Sequence, residues 1–200
     1  SLGACSGGST AETTKAAEST EAVTAPSSGE GTEASSEAGE GEGQTAEGTT
    51  YKIGILQLVQ HTALDAANEG FLAALDEAGI QYDLDSQNAS GDQSACQTVA
   101  SKFANDKKDL ILAIATPAAQ AVAGAVTDTP VLITAVTDPA ESGLVDTNEK
   151  PGANVTGTSD LTPVKEQIDL LKQILPDAKK VGILYCSAES NSEIQAQMAR

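Results

Sequence analysis

The chain has 200 residues and a formal net charge of −18 at pH 7, with no Trp, two Phe and three Tyr. The length allows one or two domains. Because acidic side chains dominate, the charge would repel a nucleic acid and argues against binding to anionic lipid headgroups. No apolar run approaches the roughly 20 residues of a transmembrane helix.

Residues 1–50 differ in composition from the rest of the chain. They consist mainly of Gly, Ser, Thr, Ala and Glu, and Lys15 is their only basic residue. Such a segment cannot bury enough apolar surface to offset the entropy of ordering the chain. The composition therefore predicts a disordered acidic tether over residues 1–50, ahead of a folded part that begins near Thr50.

The first five residues, SLGAC, resemble the end of a bacterial lipoprotein signal peptide, in which Cys5 would become the lipid-bearing N-terminus. Two or more acyl chains give stable anchoring, and a polar tether gives an anchored domain reach. We therefore expect an extracytoplasmic protein that is lipid-anchored to the outer face of the bacterial cell membrane. A chance match of four residues is the alternative.

From Tyr51 onward, candidate strands and helices alternate regularly. Strands are predicted at 51–59, 80–87, 109–116, 129–139 and 179–186. Helices are predicted at 62–78, 92–106, 117–126, from Thr162-Pro163 onward and at 190–200. Thr62, with Asp65 three residues later, is the expected N-cap of the first helix, and Gly79 is expected to end it.

This alternation predicts an α/β protein with doubly wound parallel sheets and helices on both faces. Residues 51–156 form the expected N-terminal lobe, and the Gly- and Pro-punctuated stretch 141–160 is interpreted as a connection. Residues 157–200 begin a second α/β lobe. One strand and two helices cannot bury their own apolar faces, so we expect that lobe to be truncated and the chain to be trimmed at both ends.

The stretch AIATPAAQAVAG, residues 113–124, points to an anion-binding helix start. Ligands of open parallel sheets collect beyond the carboxyl ends of the strands. Thr116 is the expected N-cap and Pro117 suits the first turn, which would leave the amides of Ala118, Ala119 and Gln120 free for a carboxylate. The alternative is that Thr-Pro only starts the helix, as at Thr162-Pro163.

Polar residues also follow the other strands, at positions where a ligand would lie. The candidate ligand-binding residues are Gln57, His61, Asp65, Thr116, Ala118, Ala119, Thr137, Asp138, Tyr185, Glu189, Asn191 and Ser192. Structural roles stay open for some of them: Asp65 could cap its helix, Asp138 could form an Asp-Pro turn, and Ser190 with Glu193 fits a capping box.

No pattern in the chain supports catalysis, a metal site or a cofactor. The phosphate loop GxxxxGK[ST], a GxGxxG after the first strand, the nucleophile elbow GxSxG and CxxC are all absent from the sequence. Cys96 and Cys186 are expected to be isolated buried thiols, although their pairing stays open.

Five segments together resemble the ABC transporter substrate-binding lipoproteins of the tryptophan/tyrosine-binding type. They are IGILQLVQHTALDAANEGF, LILAIATPAAQ, AVTDP, NVTGTSD and VGILYCSAESNSE, in matching order from Tyr51 to Arg200. The resemblance implies a type I periplasmic-binding-protein fold, in which two lobes close on a small ligand before the loaded protein docks on a membrane permease.

The expected function is capture of an amino acid or similar small carboxylate for an ABC importer. The turn Thr116 to Ala119 would hold the carboxylate, and Asp138 or Glu189 would face the ammonium group. The alternatives are a sugar or nucleoside receptor of the same fold, a ligand-sensing domain, and a secreted α/β hydrolase that uses His61 with a serine such as Ser187.

Overall fold

The computed structural model describes residues 48–200. The tether predicted over residues 1–50 therefore lies almost wholly outside the described residues, and so does lipidation at Cys5. The elements in chain order are β1 (Thr50–Gln57), α1 (Thr62–Glu77), β2 (Gln81–Asn88), α2 (Gln93–Asn105), β3 (Leu110–Ile114), α3 (Thr116–Ala125), β4 (Val131–Val136), β5 (Val155–Ser159), α4 (Val164–Ile174) and α5 (Ser190–Met198).

The first five strands form one parallel sheet in the order β2-β1-β3-β4-β5. Helix α1 packs on one face, where Phe71 and Leu75 approach Ile55 and Ile114. Helices α2 and α3 cover the other face, where side chains such as Phe103 join the larger core cluster. Helices on both faces explain why β1 and β3 are continuous apolar runs. The predicted α/β class with a parallel sheet is confirmed.

Gly54 in β1 permits the close approach of α2 to the sheet. A Cβ atom at this position would lie 3.0 Å from two carbons of the Phe103 ring, which is itself completely buried. The absence of a side chain at Gly54 therefore lets the largest core residue lie flat over the strand.

The segment predicted as a connection, 141–160, contains β5, and the boundary predicted between residues 156 and 157 falls inside that strand. Its sequence, VTGTS, has one buried side chain, Val155. An edge strand of this kind carries no apolar run, and it forms because β4 offers it a hydrogen-bonding edge. We refer to residues 50–160 as the sheet domain and to residues 161–200 as the C-terminal segment.

The strand predicted over residues 179–186 is wrong, because these residues form neither strand nor helix and all are exposed. Leu184 is fully exposed. Regular strand structure requires hydrogen-bonding neighbours, and no strand lies beside this stretch in residues 48–200. The C-terminal segment contributes only α4 and α5 as regular elements.

Candidate functional site

Helix α3 begins one residue after β3, without a connecting loop. Its N-cap is Ala115, with φ 83° and ψ 152°, so the expectation that Thr116 caps the helix is wrong. This backbone conformation is rare for any residue except Gly and is typical of functional sites. It is held by two hydrogen bonds: the Ala115 amide donates to the Thr134 carbonyl, and the Ala115 carbonyl accepts from the Ala119 amide, both at 3.0 Å.

Two backbone amides at the start of α3 make no hydrogen bond within residues 48–200. The predicted free amide at Ala119 is wrong, since Ala115 accepts it, and regular helical pairing assigns the Gln120 amide to the Thr116 carbonyl. Pro117 has no amide hydrogen. The amides of Thr116 and Ala118 lie in the first turn, where the helix offers no carbonyl four residues earlier to accept them. No loop or cap hydrogen bond in residues 48–200 uses them either. The donors are therefore Thr116 and Ala118.

The hydroxyl of Thr116 lies beside these amides and has no hydrogen-bond partner within residues 48–200. The residue is 2% exposed and Ala118 is completely buried. A buried polar atom without a partner costs about 1–3 kcal/mol, so such atoms are rare unless a ligand or an ordered water occupies them. The start of α3 thus has three donors in one place.

Gln57, at the end of β1, is buried, and both hydrogens of its side-chain amide are used within the protein. Its Nε2 donates to Asp65 Oδ1 at 2.6 Å and to the Val59 carbonyl at 2.9 Å, while its Oε1 accepts from Asn68 Nδ2 at 3.3 Å. Gln57 therefore ties the end of β1 to α1. The sequence prediction missed Asn68, whose buried Oδ1 has no partner in the described part of the chain.

His61 caps α1, so the expectation that Thr62 is its N-cap is wrong. The Nδ1 atom of His61 accepts from the Ala63 amide at 3.2 Å. This contact gives the exposed imidazole a structural role at the helix start.

At the end of β4, Thr137 and Asp138 are both buried. Asp138 Oδ1 accepts from the Glu141 amide at 3.2 Å and from Asn148 Nδ2 at 3.0 Å, so this carboxylate closes the turn that follows the strand. The Thr137 hydroxyl accepts from Gln195 Nε2 of α5 at 3.4 Å. The end of β4 thus contacts the C-terminal segment.

The start of α5 brings a second polar group to the sheet domain. Its N-cap is Glu189, without a side-chain capping bond, so the capping box predicted for Ser190 and Glu193 is wrong. Ser190 Oγ instead accepts from Gln120 Nε2 at 3.2 Å. Asn191 Nδ2 donates to Glu189 Oε2 at 3.4 Å, and the buried Oδ1 of Asn191 has no partner among the described residues.

Tyr185 and Ser192 line a cavity of about 430 Å³ between α4, α5 and residues 181–185. Apolar side chains, including Val164 and Ile168, make up much of its wall. Thr116 and Ala118 do not line this cavity. They also do not line a smaller cavity of about 80 Å³ beside β4 and β5. The structure therefore groups Tyr185 and Ser192 with the apolar side of the C-terminal segment.

The main ion-pair cluster lies on β2 and the last turn of α2. Burial acts to raise the pKa of Asp85, but hydrogen bonds from Lys102, Gln87 and Lys108 outweigh it and lower that pKa to about 2. The ammonium groups of Lys102 and Lys108 also lie 5.7 and 5.5 Å from the centre of the Phe103 ring. This cluster fastens α2 to the sheet.

Both described cysteines are free: Cys96 is buried, as expected, whereas Cys186 is exposed because its segment is not covered. Burial raises the pKa of the Cys96 thiol.

Within residues 48–200, no group of three or more His, Cys, Asp or Glu side chains could hold a metal ion. No helix in that range has the length and apolar character needed to span a membrane.

Residues 52–200 match the family model described as ABC transporter substrate binding protein. The chain belongs to the ABC transporter substrate-binding protein family. The family resemblance noted in the sequence is thereby confirmed. Its members bind substrates and are not enzymes, which excludes a hydrolase that uses His61 and Ser187.

Individual relatives are similar to about three quarters of the chain. A tyrosine-binding protein from Clostridioides difficile (strain R20291) is 50% identical over 147 residues, which are 72% of this chain and 43% of that protein. A structure of an ABC domain in complex with L-Trp from Streptococcus pneumoniae is 42% identical with a TM-score of 0.71, covering 76% of this chain and 52% of that one. A ligand-free, open substrate-binding protein with adhesive properties from Clostridium difficile is 52% identical with a TM-score of 0.61, covering 74% and 52%. The chain spans about half the length of these relatives.

Proposed function

We propose that the protein captures an aromatic L-amino acid, tyrosine or tryptophan, between two lobes and delivers it to the membrane permease of an ABC importer. The observation that carries this proposal is the unpartnered, buried hydroxyl of Thr116 beside two free amides. Support for an aromatic side chain comes from the tyrosine-binding relative at 50% identity and the L-Trp complex at 42% identity.

The start of α3 suits a carboxylate for electrostatic reasons. The Thr116 and Ala118 amides and the Thr116 hydroxyl are three donors at the positive end of the helix dipole. Hydrogen bonds to a charged acceptor are about twice as strong as neutral ones, so this donor set favours an amino acid over a neutral sugar or nucleoside.

Glu189 is the better counter-charge for the ammonium group of the ligand. Asp138 Oδ1 already accepts two hydrogen bonds, whereas Glu189 accepts one long bond from Asn191. The unpartnered Oδ1 of Asn191 would supply a second acceptor beside it. Carboxylate and ammonium would then contact different lobes, which is the condition for a ligand to select the closed form.

The remaining parts of the proposal concern the whole protein. Residues 50–160, including β5, would form the N-terminal lobe, and residues 161–200 would begin a second lobe. The polar composition of residues 1–50 suits a tether, and SLGAC suits lipidation at Cys5 on the outer face of the membrane. A Cys5→Ser variant that stays in the membrane fraction of expressing cells would argue against this anchor.

Titration calorimetry with a panel of small molecules tests the ligand class. L-tyrosine and L-tryptophan are expected to bind, while tyramine and tryptamine, which lack the carboxylate, are expected to produce no heat of binding. N-acetyl-L-tryptophan, which lacks the ammonium group, tests the role assigned to Glu189. Binding of glucose or uridine without any response to amino acids would reject the proposal in favour of the sugar or nucleoside alternative.

A further inference from the structure

Three glutamine side chains connect the sheet domain to helix α5 and to the residues just before it. Gln93 Nε2, at the start of α2, donates to the Ala188 carbonyl at 3.0 Å. Gln120 Nε2 in α3 donates to Ser190 Oγ at 3.2 Å, and Gln195 Nε2 in α5 donates to Thr137 Oγ1 at 3.4 Å. We call Gln93, Gln120 and Gln195 the glutamine latch.

Gln120 is the central member because the sheet domain holds it in place. Its amide nitrogen donates one hydrogen to the Ser142 carbonyl at 3.1 Å and the other to Ser190 Oγ at 3.2 Å. An amide has two donors, so both are used. In an arrangement without the Ser190 contact, the bond to Ser142 would still orient the side chain, which would reduce the entropy lost when the two parts meet.

The latch is electrically neutral, and the charge distribution gives a reason for this. The sheet domain carries fifteen acidic and five basic side chains, whereas the C-terminal segment carries five of each. The described residues form six ion pairs, four within the sheet domain and two within the C-terminal segment. None of these ion pairs joins the two parts. Amide contacts between the parts therefore avoid the long-range repulsion and salt dependence that acidic groups would bring.

We propose that the glutamine latch stabilises the closed form and thereby sets the affinity for the ligand. The inference rests on the proposed function, in which the ligand selects a closed form. Apparent affinity falls in proportion to the population of the binding-competent form. The three glutamines are thus positioning residues, which act on the ligand through the approach of Ser190 and Thr137.

The test compares Gln93→Ala and Gln120→Ala in the full chain with the control Gln97→Ala. Gln97 is exposed on α2, and its side chain makes no hydrogen bond within residues 48–200. Stopped-flow and calorimetric binding of L-tryptophan and L-tyrosine are measured at 50 and 500 mM NaCl. Each latch variant is expected to weaken binding about 3- to 10-fold, mainly through faster dissociation, by the same factor at both salt concentrations.

The outcomes separate the latch from the proposed function. If the wild-type chain binds and the latch variants dissociate no faster than Gln97→Ala, the latch is rejected and the proposed function stands. If the wild-type chain binds no amino acid, the proposed function fails and the latch with it. A lowered melting temperature of the ligand-free variants, with an unchanged dissociation rate, would reduce the three glutamines to structural residues and would also overturn the inference.

Discussion

Replacing Thr116 by Val is expected to stabilise the ligand-free protein while weakening ligand binding. The two side chains have nearly the same shape, and both are branched at Cβ, so the substitution only replaces the hydroxyl by a methyl group. In the protein this hydroxyl is buried and has no partner among residues 48–200, and Ala115, not Thr116, caps the helix. The fold therefore loses no hydrogen bond when the hydroxyl is removed.

The size of both effects follows from the cost of an unpaired polar group. Removing a buried hydroxyl that lacks a partner should raise the free energy of unfolding by about 1–2 kcal/mol. For a unit of this size the melting temperature should rise by about 2–8 °C. In the complex the same hydroxyl would donate to a carboxylate, and a hydrogen bond to a charged group contributes about 1.5–3 kcal/mol, so affinity should fall about 10- to 150-fold.

Differential scanning calorimetry without ligand and titration calorimetry with L-tyrosine or L-tryptophan measure the two effects. Thr98→Val is the matched control, because the Thr98 hydroxyl in α2 donates to the Ser94 carbonyl at 2.9 Å and is exposed. The control should change neither quantity by much. A Thr116→Val protein that is less stable than wild type and binds as tightly would show that the hydroxyl serves the fold, and the reasoning would be refuted.

Three further substitutions test the packing and the electrostatics. Gly157→Ala should destabilise the protein by about 2 kcal/mol or more, because the new Cβ would overlap the Ile133 carbonyl oxygen; an unchanged denaturation midpoint would contradict this. Gly124→Ala, in the same assay, should stabilise by about 0.5–1 kcal/mol, since its position in α3 is open and Ala favours helix more than Gly. Asp85→Asn should cost about 1–2 kcal/mol at pH 7, because the folded-state pKa of Asp85 is lowered to about 2. That difference should be present above about pH 4 and disappear as the pH falls toward 2, and a difference that persists at pH 2 would exclude the ion pairs as its cause.

Local patterns in the sequence predicted most of the sheet domain and the position of the candidate site. Apolar runs located β1, β3 and β4, and helical periodicity located α1, α2 and α3 to within a residue or two. The passage from β3 directly into a helix at Thr116 was also visible, because Pro117 and the small residues after it favour that start. These features depend on residues close together in the chain.

The tertiary structure decided the features that depend on distant partners. β5 is polar and forms only because β4 offers it an edge, whereas residues 179–186 are apolar and form no strand because the described residues provide no edge. The N-caps of α1 and α3 are His61 and Ala115, one residue before the predicted Thr62 and Thr116. The earlier cap of α3 changed the set of amides without a helical partner.

The sequence by itself thus determined the family, the parallel α/β sheet and the place where helix α3 begins, directly after β3. Only the tertiary structure decided that Thr116 and Ala118 are the free donors, that Gln57 is used internally, and that glutamines join the sheet domain to the C-terminal segment. The physical reason is that sequence periodicity indicates which side of a helix or strand is buried. Hydrogen-bond partners, in contrast, depend on which groups come close together in the folded chain.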